Sequence, residues 1–210
     1  MKAQETKPQL IYVGDPMCSW CYGFSDELIE IAQAFKNNVD FKIIVGGLRP
    51  YTKESWNSEM QQFLREHWIE IGKETGQKFN LEILSQPNFV YDTEPAARAY
   101  KVLESLVAPK LDVFKAIQEL FYFHNQGPKV ASAYFNICDQ YKVSFDDFKS
   151  AFESDDFKQL TKNDFGYSQQ MGVRGFPSMI LIKNNKATLV SNGYQKADGI
   201  INTINKLIEE

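Results

Sequence analysis

The sequence predicts an α/β protein whose small sheet is assembled from the two ends of the chain, with a helical middle. Three observations carry this. Near the start, the apolar runs Leu10–Val13 and Phe41–Val45 flank an amphipathic stripe, a β-α-β pattern. Near the end, Ser178–Ile182 and Ala187–Val190 flank the polar turn Lys183-Asn184-Asn185-Lys186 and precede a second stripe, a β-β-α pattern. Between about Thr52 and Met171 no run reads as a strand, whereas apolar residues recur at helical spacing.

Taken in order, Leu10-Ile11-Tyr12-Val13 is a β-branched and aromatic run suited to a buried strand, and Gly14-Asp15-Pro16 ends it as a turn. Phe24, Leu28, Ile31 and Phe35 fall on one face of a single helix beginning near Ser19. The second strand ends in Gly46-Gly47 and runs into Leu48-Arg49-Pro50. Helical stripes follow at Met60, Phe63, Leu64, His67 and Ile71, then at Ala99, Val102, Leu103 and Leu106, then at Val113, Ile117, Leu120, Phe121 and His124. Two more are Val130, Tyr134, Ile137, Cys138 and Tyr141, and Phe145, Phe148 and Phe152. The closing helix presents Ile200, Ile201, Ile204, Leu207 and Ile208 on one face. No internal repeat or low-complexity tract interrupts the pattern.

With 210 residues, 43% apolar and 14% aromatic, the chain can bury the core of one large domain or of a domain carrying an insertion. A net charge of −4 and the lack of a Lys/Arg cluster argue against nucleic acid as a partner. The polar start, Met1 to Pro8, and a first apolar run of only Leu10–Val13 lead to the expectation of a cytoplasmic protein without signal peptide or membrane span.

The chemistry concentrates at Asp15-Pro16-Met17-Cys18-Ser19-Trp20-Cys21, a Cys-x-x-Cys that follows a strand and opens a helix. That context reads as a dithiol active site. The first helical turn has unpaired N–H groups and the positive end of the dipole, so Cys18 is expected to be the acidic, attacking cysteine. Cys21, about one turn further in and less exposed, is expected to resolve. A zinc half-site and a fortuitous pair are the other readings; zinc would need ligands from Cys138, His67 and His124, which are scattered in sequence. Met17, Trp20, Tyr22 and Phe24 put apolar surface around the pair, suggesting a groove for extended polypeptide; core is the other reading for Phe24 and Tyr22, and the better one for Phe24.

Asp15 caps the turn or acts as a base towards Cys21. Cys138, His67 and His124 fall on apolar faces and read as structural. Glu94 and Arg98, four apart, read as an intrahelical ion pair worth about 0.2 to 0.5 kcal/mol. The run Gly172-Val173-Arg174-Gly175-Phe176-Pro177 precedes the third strand. Its Pro is either a bland strand entrance or a cis Phe176-Pro177 bond that turns the Phe176 backbone towards Cys18 and a substrate.

Taken together, Cys18-Ser19-Trp20-Cys21 after a strand, the long helical middle and Gly-Val-Arg-Gly-Phe-Pro before a hairpin resemble the DsbA branch of the thioredoxin-fold disulfide oxidoreductases. Asp15 to Phe24, and Asp92-Thr93-Glu94-Pro95-Ala96-Ala97-Arg98-Ala99, look closest to its FrnE-like subgroup. The resemblance implies a thioredoxin-like fold with a large all-helical insertion: residues 1–50 and 172–210 as a discontinuous thioredoxin-like domain, and 51–171 as helical insertion and connecting helices. It also implies catalytic Cys18 and Cys21, a cis Pro177 facing them, and substrate contacts from Trp20, Phe176 and Pro177.

The implied activity is thiol-disulfide oxidoreductase or isomerase on protein disulfides, with no metal or organic cofactor, and with glutathione or a thioredoxin-type protein as candidate reductant. Two departures stand out. Ser19-Trp20 lacks the His that DsbA members place between the cysteines, so a strongly oxidising potential does not carry over, and Phe176 is bulkier than the Val or Thr usual before the Pro. Two related functions remain as alternatives: a non-catalytic, possibly zinc-binding protein adaptor, and a glutathione-dependent small-molecule isomerase, whose members resemble Ser users at position 18.

Overall fold

A computed structural model describes residues 7–107 and 110–209. Residues 1–6, part of the polar start behind the expectation of an untargeted chain, lie outside them. Strand β1 (Gln9–Gly14) leads through α1 (Ser19–Gly23) and α2 (Ser25–Phe35) to β2 (Asp40–Val45). Among the described residues six α-helices follow: α3 (Ser58–Thr75), α4 (Glu94–Leu106), α5 (Lys110–Tyr122), α6 (Phe135–Gln140), α7 (Phe145–Glu153) and α8 (Asp155–Gln170). The chain then closes with β3 (Ser178–Lys183), β4 (Lys186–Asn192) and α9 (Ala197–Glu209).

The four strands form one sheet in the order β2-β1-β3-β4, with β1 parallel to β2 and antiparallel to β3, and β3 antiparallel to β4. This is the thioredoxin-like arrangement expected from the sequence. As a central strand β1 is covered on both faces, which is why it reads as a continuous apolar run. Leu10 and Tyr12 point into the large core with Phe24 and Phe114. Ile11 and Val13 point to the other face with Ile180, under Met171, Val173 and Phe176. The β3–β4 hairpin turns on Asn184 and Asn185, both at positive φ (52° and 62°), the left-handed pair that a two-residue turn requires.

The helix expected as one piece after Cys18 is divided at Phe24 into α1 and α2. At the break the Ser25 hydroxyl donates to the Tyr22 carbonyl at 2.8 Å, satisfying an acceptor at the end of the short helix. Gly23 is needed there because α3 packs against it: a Cβ would stand 2.8 Å from Ile71 Cγ2. At the same end of the sheet, beyond β4, Glu27 of α2 accepts the Ala197 N–H at 2.7 Å and Lys196 Nζ at 2.8 Å, fixing the start of α9.

Several stripes are rotated from where periodicity alone puts them. Leu64, Trp68 and Ile71 are the buried face of α3, while Phe63 is 58% exposed. His124 lies beyond the end of α5 and is exposed. Glu94 and Arg98 form no surface pair: both are buried, with Nε–Oε1 2.8 Å and Nη2–Oε2 3.0 Å. The guanidinium also donates to the Phe152 carbonyl and stacks 4.2 Å from the Phe152 ring, tying α4 to α7. Among the described residues no helix is long and apolar enough to cross a membrane.

Because removal of one member leaves the other charge buried, Arg98→Ala should cost about 3 to 5 kcal/mol in urea unfolding, far above an exposed helical pair. A loss of about 0.5 kcal/mol or less would show that the pair behaves as a surface one.

Candidate active site

Where β1 ends, Asp15 organises the loop that carries the first cysteine. Its backbone carbonyl accepts the Cys18 N–H at 3.0 Å; its carboxylate accepts the Met17 N–H at 2.8 Å and, from the segment after β2, the Leu48 N–H at 2.7 Å. The carboxyl is fully buried, and desolvation raises its pKa to about 6 against the opposing pull of those two N–H donors. With both oxygens engaged by backbone, Asp15 serves as a turn anchor, the first of its two sequence readings. On the other side of the loop, the Tyr91 and Tyr122 hydroxyls both donate to the Met17 carbonyl, at 2.5 and 2.6 Å. Three segments distant in sequence thus hold the residues immediately before Cys18.

Cys18 takes an extended conformation (φ −90°, ψ 120°) at the N-cap of α1 and its carbonyl accepts the Tyr22 N–H at 3.0 Å. Cys18 as a residue is 6% exposed, whereas Cys21 is completely buried beneath it. Burial raises the Cys21 pKa well above its usual value, and proximity to Cys18 raises it further. Cys18 Sγ lies 3.8 Å from the Phe176 carbonyl oxygen, and the Phe176–Pro177 peptide bond is cis. The bulk of Phe176 is accommodated by Gly46, where a Cβ would fall 2.0 Å from the Phe176 ring. The ring therefore lies over the end of β2, and its backbone faces Cys18.

Beside the pair is a cavity of about 370 Å³ lined by Trp20, Glu70, Glu74, Phe176, Gly193 and Tyr194. Trp20 packs against Tyr194 (centroids 5.7 Å apart) and against the edge of His67 (5.8 Å), which stacks on the exposed Phe63 (5.5 Å). The result is an aromatic strip running from α3 to the sulfur atoms, with two carboxylates at its rim.

The structure brings Cys18, Cys21, Trp20, Phe176 and Pro177 into one place. Phe24 is core, as its sequence reading had it, at 0% exposure; Met17 and Tyr22 are core as well, at 1 and 2%, so of the four apolar residues around the pair only Trp20 lines the cavity. Sequence reasoning missed Tyr194, Tyr91, Tyr122, Glu70, Glu74 and the place of His67. The spacing of His67, Glu70 and Glu74 on one face of α3 was a usable signal; the tyrosine contacts, 74 and 105 residues from Met17, left none. Cys138 is buried in α6, where desolvation raises its pKa to about 11, in keeping with a structural thiol. Among the described residues no three His, Cys, Asp or Glu side chains converge as a metal site.

The chain matches the family model described as Thioredoxin over residues 11–199. Among solved structures it is similar to a provisionally assigned protein disulfide isomerase from Nitrosomonas europaea: 30% identity, 97% of this chain and 98% of that one covered, TM-score 0.88. Another is the cytosolic disulfide reductase DsbM from Pseudomonas aeruginosa, at 20% identity, 96% and 98% coverage and a TM-score of 0.78. A structure of DsbM with GSH aligns at 18% identity, 96% and 100% coverage and a TM-score of 0.77. Comparison with curated proteins finds no match. The fold is that of the DsbA-like thiol-disulfide oxidoreductases.

Since the Asp15 pKa is about 6 when folded and near 4 when unfolded, the folded state retains a proton that the unfolded chain gives up between those values. The stability this confers is complete below about pH 4 and is lost as pH rises through 6, amounting to about 3 kcal/mol. Denaturant unfolding from pH 4 to 8 should show this loss, and Asp15→Asn should remove that part of the slope. Parallel curves for the two proteins would refute the assignment.

Proposed function

The chain belongs to the thioredoxin family, and from that premise we propose that it exchanges disulfides of protein substrates through Cys18 and Cys21, as a reductase or isomerase. One observation carries the proposal: the outer cysteine sits 3.8 Å from the backbone carbonyl that precedes a cis proline, with the inner cysteine buried behind it. An extended substrate can pair with the Phe176 backbone and present its disulfide to Cys18.

Cys18 thiolate attacks one sulfur of the substrate disulfide, forms a mixed disulfide and expels the other sulfur as a thiolate. Cys21 then attacks the Cys18 sulfur, releasing the second substrate thiol and closing the Cys18–Cys21 disulfide. Two thiols of a reductant, glutathione or a thioredoxin-type protein, restore the pair. When a substrate cysteine attacks the mixed disulfide instead, the same chemistry isomerises.

The aromatic strip from Phe63 to Tyr194 supports polypeptide substrates, since it offers apolar contact well beyond the sulfur atoms. Glu70 and Glu74 at the rim disfavour the carboxylates of glutathione as a docked ligand, which makes glutathione better suited as a colliding reductant than as the principal substrate. Reduction is the favoured direction because Ser19 and Trp20 supply no cation to stabilise a Cys18 thiolate, the feature that makes a dithiol strongly oxidising. The proposed compartment is the cytosol, in line with the description of DsbM as cytosolic, where the thiol pool would keep the pair reduced. Placement in the FrnE-like subgroup rests on the Asp15–Phe24 and Asp92–Ala99 motifs.

Cys18→Ser should abolish exchange on a disulfide-containing unfolded protein, and Cys21→Ser should trap mixed disulfides visible on non-reducing gels. Exchange by Cys18→Ser would overturn the assignment. Phe63→Ala, at the outer end of the strip, should raise KM about three- to tenfold for a polypeptide disulfide while leaving a small-molecule disulfide unaffected. Equal effects on both would remove the strip from substrate binding.

A further inference from the structure

α3 runs so close to the end of α1 that a Cβ on Gly23 would stand 2.8 Å from Ile71 Cγ2 and 2.9 Å from Thr75 Cγ2. Each of those two residues is preceded by a carboxylate, Glu70 and Glu74, four apart on one flank of the helix. Both line the cavity of about 370 Å³ beside the cysteines, together with Trp20, Phe176 and Tyr194. Glu70 has His67 Nδ1 at 3.9 Å, and the His67 ring meets the edge of Trp20 at 5.8 Å, which sets the carboxylate next to the indole. Among the described residues neither glutamate pairs with a Lys or Arg. Lys196 stands 5.6 Å from the Tyr194 ring, but Glu27 already holds it at 2.8 Å.

Two like charges at this spacing oppose one another, and the last turn of α3 adds the negative end of an 18-residue helix dipole. Trp20 and Tyr194, with centroids 5.7 Å apart, supply rings whose faces attract cations. Carboxylates, helix end and rings therefore favour the same guest. We propose that the cavity is a subsite for a cationic side chain, Lys or Arg, within two residues of the reacting cysteine of a polypeptide substrate. Its apolar stem lies along Trp20 and Tyr194, and its charge reaches Glu70 and Glu74 at the rim. This rests on the exchange reading of Cys18 and Cys21 and names the class of polypeptide that the site prefers. Phe176 connects the two places, since its carbonyl oxygen is 3.8 Å from Cys18 Sγ and the same residue lines the cavity. A substrate paired with the Phe176 backbone advances about 3.3 Å per residue, so one or two residues carry it from the sulfur to the cavity. The subsite contributes binding only, and the bonds made and broken remain those of the exchange.

The test uses three disulfide-linked peptides that differ only beside the cysteine: Lys, norleucine, which keeps an apolar stem without the charge, and Glu. With the unsubstituted protein, kcat/KM for Lys should exceed that for norleucine about five- to thirtyfold, with Glu lowest. The advantage should shrink as salt rises from about 0.05 to about 1 M. In the double variant Glu70→Gln, Glu74→Gln the Lys-to-norleucine ratio should fall towards one, and Glu74→Lys should shift preference towards the Glu peptide. Exchange of all three peptides at equal kcat/KM would overturn the subsite and leave the exchange reading standing. A Lys preference that persists in the double variant would also overturn it, by seating the cation elsewhere. If none of the peptides is exchanged, the exchange reading falls and the subsite with it.

Discussion

The buried Asp15 carboxylate is the constraint on which the site depends, because it joins the loop bearing Cys18 to the segment leaving β2. A carboxyl without access to water costs several kcal/mol unless its oxygens are engaged, and here two backbone N–H groups from different parts of the chain engage them. Closure of the loop on one side then allows Tyr91 and Tyr122 to hold the Met17 carbonyl from the other. The two tyrosines come from the middle of the chain, Tyr91 from the segment before α4 and Tyr122 from the end of α5, so that part of the chain does more than enlarge the protein: it fixes the backbone one residue before Cys18. The raised pKa of Asp15 indicates that this anchoring is bought with some stability at neutral pH.

Depth separates the two sulfur atoms. Cys18 keeps a small exposed fraction beside the Phe176 carbonyl, and Cys21 is beneath it, sealed from solvent. Such an arrangement lets an external disulfide reach only the first sulfur, and the second acts only from inside. The two glycines at the end of β2 make the outer half of this possible: Gly46 receives the Phe176 ring, and Gly47, at φ +74°, lies under Phe165. Both rings are turned onto the sheet end, so the bulk of Phe176 is taken up where Gly46 has no side chain.

Much of this was legible in the sequence. The four strands, the tight Asn-Asn hairpin and the sequential place of Cys18 follow from local rules, because strand periodicity, turn chemistry and helix starts are written within a few residues of each other. The break at Phe24 was not, since it depends on the close approach of α3 to Gly23. Phe63 and Trp68 exchanged roles for a related reason: both fit an apolar stripe, and only the direction from which α5 packs decides between them. Likewise, Glu94 and Arg98 have the spacing of a surface pair, and nothing local reveals that α7 covers them. At the site, the sulfur atoms and Pro177 could be named from motif, whereas Tyr91, Tyr122 and Tyr194 reach it through tertiary contacts without sequence signature.

The measurement that bears most directly on the account is the reduction potential of the Cys18/Cys21 pair, by equilibration with glutathione redox buffers and mass analysis of the linked cysteines. The account predicts one reversible two-electron transition, a disulfide joining only Cys18 to Cys21, and a potential nearer the about −270 mV of thioredoxin than the about −120 mV of DsbA. A pair that forms no reversible disulfide would contradict it.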